Sequence, residues 1–180
     1  MIERRWDAIK RRMPDDRYII GAEIGVWKGQ MSAKLLELMP NLTLYMVDWW
    51  KAPPAGHSYF EGSIKIARMS NEQLEEAYQD TIKRIEPYKE RAKIYRGEST
   101  NIAKIIDGVL FDFIFFDGDH SYKGLTRDLN AWIPKIRKGG WAGGHDWEHP
   151  EQGDVKGAVL DFFKEKDIEI DVNRTWFVNL

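Results

Sequence analysis

The sequence contains no cysteine among its 180 residues. Disulfide bonds, zinc–thiolate sites and a cysteine nucleophile are therefore excluded. The sequence also lacks any apolar run of about 18 residues, the length that a membrane-spanning helix needs. Its first residues are charged and have no apolar centre of the kind found in a secretory signal. From these absences we expect a soluble, cytoplasmic protein that does not bind membranes.

The net charge is also small, because the sequence has 27 Lys and Arg and 29 Asp and Glu, which gives −2 at neutral pH. Bulk electrostatics therefore gives no reason to expect nucleic-acid binding. Basic residues do cluster near the N-terminus, in ERRWDAIKRRM. Trp6, Ile9 and Met13 recur there at helical spacing, which predicts an amphipathic helix within residues 1–17. Its basic side chains form either a solvated face or a contact with an anionic substrate or partner.

Short apolar runs alternate with amphipathic helical patterns along the chain, and its length suits one domain. Strands are predicted at 18–25, 42–48, 91–99, 111–117 and 139–146, with a closing pair over 167–172 and 175–180. Helices are predicted at 28–39, 101–107, 122–137 and 154–166. Buried strands separated by helices indicate a doubly wound, mostly parallel α/β sheet with helices on both faces. Ligands bind such sheets beyond the carboxyl ends of the strands.

One connection, after the second predicted strand, is unusually long. Residues 49–70 read WWKAPPAGHSYFEGSIKIARMS, and a compact domain rarely carries so long a loop without a role. Their aromatic content favours a substrate lid, and a disordered excursion is the alternative. His57 lies in this segment and is either a substrate contact or an exposed side chain.

The first predicted strand runs into a glycine turn, AEIGVWKGQ. Gly25 allows a tight turn, and Gly29 lets the backbone approach a ligand where the next helix begins. The dinucleotide fingerprint G-x-G-x-x-G is absent, since Trp27 stands where a glycine would admit a pyrophosphate. This substitution argues against NAD, although a nucleotide- or NAD-binding oxidoreductase stays the second hypothesis.

Acidic residues end the next two strands. Asp48 can accept hydrogen bonds from both hydroxyls of a ribose, and Trp49 beside it could stack on a base. A simple cap on the strand end is the alternative for Asp48. Glu98 and Ser99 follow the third strand on the same rim, where Ser99 is alternatively a helix N-cap.

Carboxylates and imidazoles follow the fourth and fifth strands. FDFIFFDGDHSY places Asp117 and His120 after the fourth strand, and GGWAGGHDW places His145 and Asp146 after the fifth. Because these strands should be neighbours, we expect the four groups to lie close together. Asp119 is expected only to shape the turn. In the helix that follows, residues 127 and 128 are expected to make ordinary surface interactions.

Taken in order, AEIGVWKG, VDWW, YRGES, FIFFDGDHSY and GGWAGGHDW resemble the class I S-adenosylmethionine-dependent methyltransferases over about residues 18–165. They look most like small O-methyltransferases related to macrolide-sugar and catechol-type enzymes, and FDGDHSY followed by GGHDW is fairly specific to that branch. The resemblance implies a Rossmann-like, seven-stranded sheet whose last strand is antiparallel. It also implies that residues 1–180 form a single methyltransferase domain.

The resemblance further implies how S-adenosylmethionine would bind. Glu23 would meet the amino-acid part of the cofactor, and Asp48 would hold its ribose. Glu98 and Ser99 would flank the adenine. The complete set of expected cofactor contacts is Glu23, Gly25, Gly29, Asp48, Trp49, Glu98, Ser99 and Asp117.

Two mechanisms fit methyl transfer to a hydroxyl. In one, Asp117, His145 and Asp146 bind a divalent cation, which lowers the pKa of the substrate hydroxyl. The resemblance implies Mg²⁺, but His145 stands where the related enzymes have a carboxylate, and imidazole suits magnesium poorly. In the other, His120 or His145 acts as general base, because imidazole titrates near neutrality. Asp117 is the foremost catalytic candidate.

The leading hypothesis is therefore an S-adenosylmethionine-dependent methyltransferase acting on a hydroxyl of a small molecule such as a sugar. The expected partner is that acceptor, with no nucleic acid and no membrane, and a homo-oligomer is compatible with the sequence. A non-catalytic binding module of the same fold is a third hypothesis. Intact Asp117, His120, His145 and Asp146 argue against the module.

Overall fold

The strands of this computed structural model, which describes residues 3–62, 64–149, 153–164 and 166–180, form one seven-stranded sheet. The strands are β1 (Ile19–Ile24), β2 (Leu42–Asp48), β3 (Ala92–Arg96), β4 (Phe111–Phe116), β5 (Ile136–Gly144), β6 (Glu169–Asp171) and β7 (Thr175–Asn179). The helices are α1 (Arg5–Lys10), α2 (Gln30–Leu38), α3 (Tyr59–Gly62), α4 (Ile64–Ala67), α5 (Asn71–Ile85), α6 (Ser99–Ile105), α7 (Tyr122–Trp132) and α8 (Val155–Phe163).

The strand order in the sheet is β3-β2-β1-β4-β5-β7-β6. Neighbouring strands from β3 to β5 pair in parallel, whereas β7 runs antiparallel to both β5 and β6. The predicted Rossmann-like, mostly parallel sheet with an antiparallel last strand is confirmed. The winding changes direction between β1 and β4, and α/β sheets bind ligands at such a switch point.

Helices cover both faces of the sheet because its central strands are apolar on both sides. Every residue of β4 is buried. Helices α6, α7 and α8 pack on one face, and α1, α2 and α5 pack on the other. The one charged residue of β4, Asp112, is held by the N–H of Ile20 at 2.8 Å and by Arg17 at 2.7 Å. No helix of the described residues is long and apolar enough to cross a membrane.

Several helices differ from the predictions. The helix predicted at 122–137 ends at Trp132, two residues before Pro134, and residues 136 and 137 begin β5. The N-terminal helix, predicted within residues 1–17, covers only Arg5–Lys10, because Pro14 has no N–H to continue the helical hydrogen bonds; residues 1 and 2 lie outside the described residues. Helix α5 was not predicted, although its sequence carries a start signal. Ser70 accepts the N–H of Gln73, and the Gln73 side chain accepts the N–H of Ser70, which is a capping box.

The long connection after β2 contains two short helices, α3 and α4, rather than one uninterrupted loop. The Ser58 hydroxyl donates a hydrogen bond to the carboxylate of Asp119. Lys123 of α7 lies 3.4 Å from Glu61 of α3. Both contacts hold the connection against the turn that follows β4, so it covers part of the edge where the parallel strands end.

Candidate active site

The carboxyl ends of β1, β4 and β5 are aligned by backbone hydrogen bonds beyond the strands themselves. The N–H of Asp117 donates to the carbonyl of Ile24 at 2.7 Å. The N–H of His145 donates to the carbonyl of Phe116 at 3.2 Å. These bonds extend the ladders by one residue, so Asp117 and His145 leave the sheet at the same edge.

The four catalytic candidates that follow β4 and β5 meet at this edge. Asp146 bridges the two imidazoles, with one oxygen 2.9 Å from His120 Nδ1 and the other 2.8 Å from His145 Nδ1. One oxygen of Asp117 lies 3.6 Å from His120 Nε2 and 3.6 Å from His145 Nδ1. Asp146 adopts a φ of 61°, a left-handed conformation that costs free energy outside glycine and is concentrated at functional sites.

Electrostatics differs between the members of this cluster. Burial alone would lower the pKa of His120, but the neighbouring carboxylates of Asp117 and Asp146 outweigh it and raise that pKa to about 10. Burial alone would raise the pKa of Asp146, but hydrogen bonds from His120 and His145 hold it well below its usual range. At neutral pH His120 is therefore an imidazolium paired with carboxylates, and a protonated imidazole cannot accept a proton.

Arg5 of α1 joins the cluster and was not among the predicted site residues. Its Nη1 lies 2.6 Å from Asp117 Oδ2, and both side chains are largely buried. Its charge helps to offset the two carboxylates of Asp117 and Asp146. The sequence signal was the N-terminal run of basic residues, which was interpreted as a solvated face or an anion contact.

A cleft of about 400 Å³ opens over the cluster. Asp117, His120, His145 and Asp146 line it, together with Glu23 and Gly25 from the first strand and its turn. A volume in this range is typical of small-molecule sites. The catalytic candidates therefore face a space that a substrate can enter.

Glu23, a predicted cofactor contact, lies within β1 and its side chain is almost fully buried. Burial raises its pKa to about 8, although a hydrogen bond from the Ser32 hydroxyl works in the opposite direction. Glu23 is consequently mostly protonated at neutral pH. A cationic ligand group arriving in the cleft would favour the ionised carboxylate.

A second cavity, here called the inner chamber, adjoins the cleft, and Gly25 and Gly118 line both. Its other predicted lining residues are Asp48, Trp49, Glu98 and Ser99. The inner chamber measures only about 20 Å³, which is room for little more than one water molecule.

Side chains of the long connection occupy the mouth of the inner chamber. The rings of His57 and Tyr59 stack with centroids 5.4 Å apart, and the Trp49 ring lies 5.5 Å from His57. A methyl group added to Gly118 would lie 3.6 Å from the Tyr59 hydroxyl. His57 is half-buried in this stack and is not simply exposed.

Asp48 holds the turn after β1 in place. One of its oxygens accepts the N–H groups of Val26 at 2.8 Å and Trp27 at 2.7 Å, and the other accepts the N–H of Trp50 at 3.0 Å. Burial raises the pKa of Asp48, and these backbone donors oppose that shift. The structure thus gives Asp48 a loop-capping role, while the oxygen with a single donor keeps capacity for a ligand hydroxyl.

The residues after β3 differ in detail from the expectation. Glu98 occupies the N-cap position of α6 and Ser99 is the first helical residue, so Ser99 is not the cap. The Ser99 oxygen accepts a hydrogen bond from the indole of Trp132 at 2.8 Å. Both Glu98 and Ser99 still line the inner chamber.

Asp128 corrects the expectation of a surface residue. Its side chain is only 4% exposed and lines the inner chamber. Burial raises its pKa to about 7, against a hydrogen bond from Ser99. Among the described residues, its Oδ1 has no hydrogen-bond partner. The sequence could not show that position 128 is buried, because burial of an acidic residue on α7 depends on how that helix packs against the sheet.

Gly29 is not brought to either cavity. It has a φ of +68°, and a Cβ there would lie 2.9 Å from the Thr81 methyl group of α5. Glycine is therefore required by the left-handed turn and by helix packing. A direct approach of Gly29 to a ligand is not what this arrangement provides.

Residues 22–147 match a family described as a methyltransferase domain. The match spans most of the chain and includes the strand ends that build both cavities. The chain belongs to this methyltransferase family. Among curated protein sequences, none matches the chain.

Solved structures with the same fold include several methyltransferases. The O-methyltransferase NovP has 17% identity and a TM-score of 0.66, with 96% of this chain and 74% of NovP covered. The calicheamicin methyltransferase CalS11 has 13% identity and a TM-score of 0.72, with 97% and 76% covered. An rRNA methylase from Streptococcus thermophilus has 15% identity and a TM-score of 0.62, with 99% and 96% covered. At such identities these similarities establish the fold of this methyltransferase and not its acceptor.

The inner chamber of the methyltransferase fits the adenosyl part of the family's cofactor, S-adenosylmethionine, in its chemistry. Four carboxylates line it, from Asp48, Glu98, Asp119 and Asp128. The unpartnered Oδ1 of Asp128 is a buried acceptor without a donor among the described residues. Ribose hydroxyls and an adenine amino group are donors of the kind that these acceptors need.

The methyltransferase also offers a donor set for a divalent cation. Asp117, His120 and Asp146 each place one ligand atom within 4.8 Å of the others. The set predicted from sequence has His145 in place of His120, and His145 Nδ1 lies 2.8 Å from the other oxygen of Asp146 and 3.6 Å from Asp117. Two carboxylates and an imidazole suit Mn²⁺ or Zn²⁺ better than Mg²⁺, which prefers oxygen ligands.

Proposed function

We propose that this methyltransferase transfers the methyl group of S-adenosylmethionine to a hydroxyl oxygen of a small molecule such as a sugar. The observation that carries the proposal is the cluster of two carboxylates and two imidazoles, which faces a cleft next to the inner chamber. A hydroxyl must lose its proton as it is methylated, and this cluster contains proton acceptors. Methyl transfer to a more acidic or more nucleophilic atom would need no such arrangement.

In the proposed mechanism His145 is the general base. Its Nδ1 lies 2.8 Å from Asp146 Oδ1, so Nδ1 carries the proton that it donates and Nε2 keeps a free electron pair. When bound, the cofactor supplies a methyl carbon on positively charged sulfur, which is the electrophile. His145 Nε2 takes the proton of the acceptor hydroxyl, and Asp146 stabilises the resulting imidazolium.

The remaining members of the cluster hold the carboxylates in position and compensate their negative charge. His120, already protonated, holds the other oxygen of Asp146. Arg5 holds Asp117. A divalent cation at Asp117, His120 and Asp146 would have to displace the His120 proton, and it would then supply Lewis acidity that lowers the pKa of the acceptor hydroxyl.

We further propose that residues 49–70 form a lid that opens to admit the cofactor. The inner chamber has the donor groups for a nucleoside but a volume of only about 20 Å³. Tyr59 and His57 stack on each other at its mouth. Outward movement of α3 would enlarge the chamber without any change in the sheet.

Binding of S-adenosylhomocysteine and NAD⁺ tests the proposal. S-adenosylhomocysteine at a hundredfold excess over its Kd should raise the Tm by about 5–10 °C, and NAD⁺ should leave it unchanged. Stabilisation by NAD⁺ alone would instead support an oxidoreductase. Failure of S-adenosylhomocysteine to shift the Tm would contradict methyl transfer.

Turnover separates an enzyme from a non-catalytic module. The Asp117→Asn variant should keep S-adenosylhomocysteine binding and lose methyl transfer to a panel of sugar and diol acceptors. Asp167→Asn is the matched control, since Asp167 is an exposed carboxylate far along the chain. Equal turnover in Asp117→Asn and Asp167→Asn would contradict a catalytic role for the cluster.

A further inference from the structure

A depression distinct from the inner chamber also adjoins the cleft, at the edge formed by α1 and the turn between β6 and β7. Its volume is about 520 Å³. We call it the basic groove, and its polar lining includes Arg4, Arg5, Gln30, His145, His149 and Arg174. Four of these, Arg5, Gln30, His145 and His149, also line the cleft. A ligand in the basic groove would therefore be continuous with an acceptor in the cleft.

The charged side chains that line the basic groove are all basic. None of the described residues that line it is acidic. The other arginines of the N-terminal segment are paired: Arg11 lies 2.5 Å from Asp171, and Arg12 lies 2.8 Å from the same residue. By contrast, no carboxylate of the described chain lies within ion-pair distance of Arg4 or Arg174. A net charge of −2 for the molecule makes this local concentration of unpaired cations unusual.

The backbone at Arg174 gives an independent indication. Asn173 and Arg174 have φ values of 54° and 57° and form the centre of a tight turn closed by the N–H of Thr175 on the carbonyl of Val172. Two-residue turns of this type strongly favour glycine at the second central position. An arginine there adopts a conformation that disfavours side chains with a Cβ. Such strain is concentrated at binding sites.

The turn is also tied to the reaction centre. The N–H of Trp147, the residue after Asp146, donates to the carbonyl of Arg174 at 3.0 Å. Arg174 is therefore held at a fixed distance from the cluster, while its side chain lines the basic groove.

We propose that the basic groove binds a phosphate or diphosphate group of the methyl acceptor, so that the substrate is a phosphorylated small molecule whose hydroxyl lies in the cleft. This inference rests on the methyl transfer proposed above. Guanidinium groups bind phosphate through paired, charge-assisted hydrogen bonds. Two guanidinium groups of the groove, from Arg4 and Arg174, have no carboxylate partner among the described residues, and a third, from Arg5, binds Asp117.

A small molecule fits better than RNA. The basic residues are confined to one depression instead of forming a stripe along the surface, and the molecule as a whole is weakly acidic. Proteins that bind nucleic acid gain affinity from an extended basic surface. The experiment must therefore distinguish RNA binding from binding of a phosphorylated small molecule.

The probe for the experiment is inorganic pyrophosphate, titrated calorimetrically into the full chain with and without saturating S-adenosylhomocysteine. Arg174→Gln and Arg4→Gln should each weaken pyrophosphate binding by about tenfold or more, because each removes a charged hydrogen-bond donor. Lys138→Gln is the charge-matched control. Lys138 is exposed near the start of β5, at the opposite edge of the sheet, and its loss should leave the affinity unchanged.

Affinity for S-adenosylhomocysteine should not change in either arginine variant. A parallel loss of both affinities would show that the groove holds the carboxylate of the cofactor, which overturns the proposal. Malonate binding as tightly as pyrophosphate would overturn the phosphate assignment. A ten-nucleotide single-stranded RNA that binds more tightly than pyrophosphate would overturn the small-molecule assignment.

The experiment distinguishes failure of phosphate binding in the basic groove from failure of the proposed methyl transfer. A chain that binds S-adenosylhomocysteine but not pyrophosphate contradicts the basic-groove proposal and leaves methyl transfer intact. A chain that does not bind S-adenosylhomocysteine contradicts methyl transfer, and the acceptor assignment falls with it. Pyrophosphate binding that is equal in the wild type and in Arg174→Gln also contradicts the proposal.

Discussion

At the scale of single residues, the structure separates two histidines that the sequence could not rank. His120 lies between Asp117 and Asp146, and these carboxylates keep it protonated. His145 contacts Asp146 with one nitrogen and lines both the cleft and the basic groove. Histidine spacing alone carries no information about which carboxylate each imidazole meets, so both histidines were equal candidates for the base.

This difference predicts opposite effects for two variants. His145→Gln should lower kcat by about 10²–10⁴, the usual contribution of a general base, with little change in stability. His120→Gln should lower the free energy of unfolding by about 3 kcal/mol, because it leaves the buried carboxylate of Asp146 without its strongest partner. Steady-state kinetics and urea denaturation of both variants measure these effects. A kcat loss in His120→Gln as large as in His145→Gln, at unchanged stability, would contradict the assignment.

Glu23 predicts a pH dependence of folding. Its pKa is about 8 in the folded chain, against a usual value of 4.5. The folded state therefore keeps a proton that the unfolded state releases, so this stabilisation is complete below pH 4.5 and is lost as pH rises through 8. One such proton corresponds to about 1.4 kcal/mol per pH unit in that window. Arg5 opposes this shift, and Asp117 and Asp48 reinforce it.

The Glu23→Gln variant isolates this contribution. It removes the titrating group and keeps an oxygen that accepts the Ser32 hydroxyl. Between pH 5 and 8 its free energy of unfolding should fall less steeply than that of the wild type, by the slope given above. Glu76→Gln, which changes an exposed glutamate of α5, is the control. Parallel curves for wild type and Glu23→Gln would show that Glu23 ionises normally in the folded chain.

At the scale of elements, the strands were predictable and the lid was not. Four of the five apolar runs from β1 to β5 end within two residues of the predicted end, since burial on both faces leaves a clear hydrophobic signal. Strand β3 ends at Arg96, three residues before its predicted end. By contrast, the position of α3 depends on Ser58 meeting Asp119, 61 residues away. Local pattern carries no record of such a contact. Arg5 and Asp117, separated by 112 residues, escaped prediction for the same reason.

The lid contact with Asp119 leads to a prediction for cofactor binding. Ser58→Ala removes the hydroxyl that binds this carboxylate, so the closed position of α3 becomes less favourable. Because a ligand that needs the open form binds in proportion to its population, the apparent affinity for S-adenosylhomocysteine should rise by up to about tenfold. Limited proteolysis within residues 49–70 should also become faster.

A matched comparison is available in the second lid contact. Lys123→Gln removes the exposed pair with Glu61, and exposed ion pairs contribute little. Its affinity for S-adenosylhomocysteine should therefore change less than that of Ser58→Ala. The lid hypothesis would be abandoned if Ser58→Ala altered neither the affinity nor the rate of cleavage.

In the β6–β7 turn, we expect replacement of Arg174 to raise the free energy of unfolding and to weaken pyrophosphate binding. Arg174→Gly replaces a residue at φ 57° with one that adopts this conformation freely, so the free energy of unfolding should rise by about 1 kcal/mol. The same change should weaken pyrophosphate binding as Arg174→Gln does. Asn173→Gly should stabilise less, because asparagine tolerates the left-handed region. Destabilisation by Arg174→Gly in thermal denaturation would show that the turn carries no strain.

At the scale of the whole molecule, the sheet order places three functional regions along one edge. The inner chamber lies by β2 and β3, the cleft lies over β1, β4 and β5, and the basic groove lies by the β6–β7 turn. The sequence predicted the first two regions because strand ends in an α/β sheet share an edge. It did not predict the third, since α1 and the β6–β7 turn meet only when the two ends of the chain fold together.

This separation predicts that salt acts on the two ligands differently. The charges in the basic groove are partly exposed, and the Debye length falls from about 10 Å at 0.1 M to about 3 Å at 1 M ionic strength. Raising NaCl across this range should weaken pyrophosphate binding several-fold. Binding of S-adenosylhomocysteine in the inner chamber depends on buried hydrogen bonds and should change far less. Calorimetric titrations at three salt concentrations measure both, and an equal salt dependence of the two ligands would mean that they share one electrostatic site.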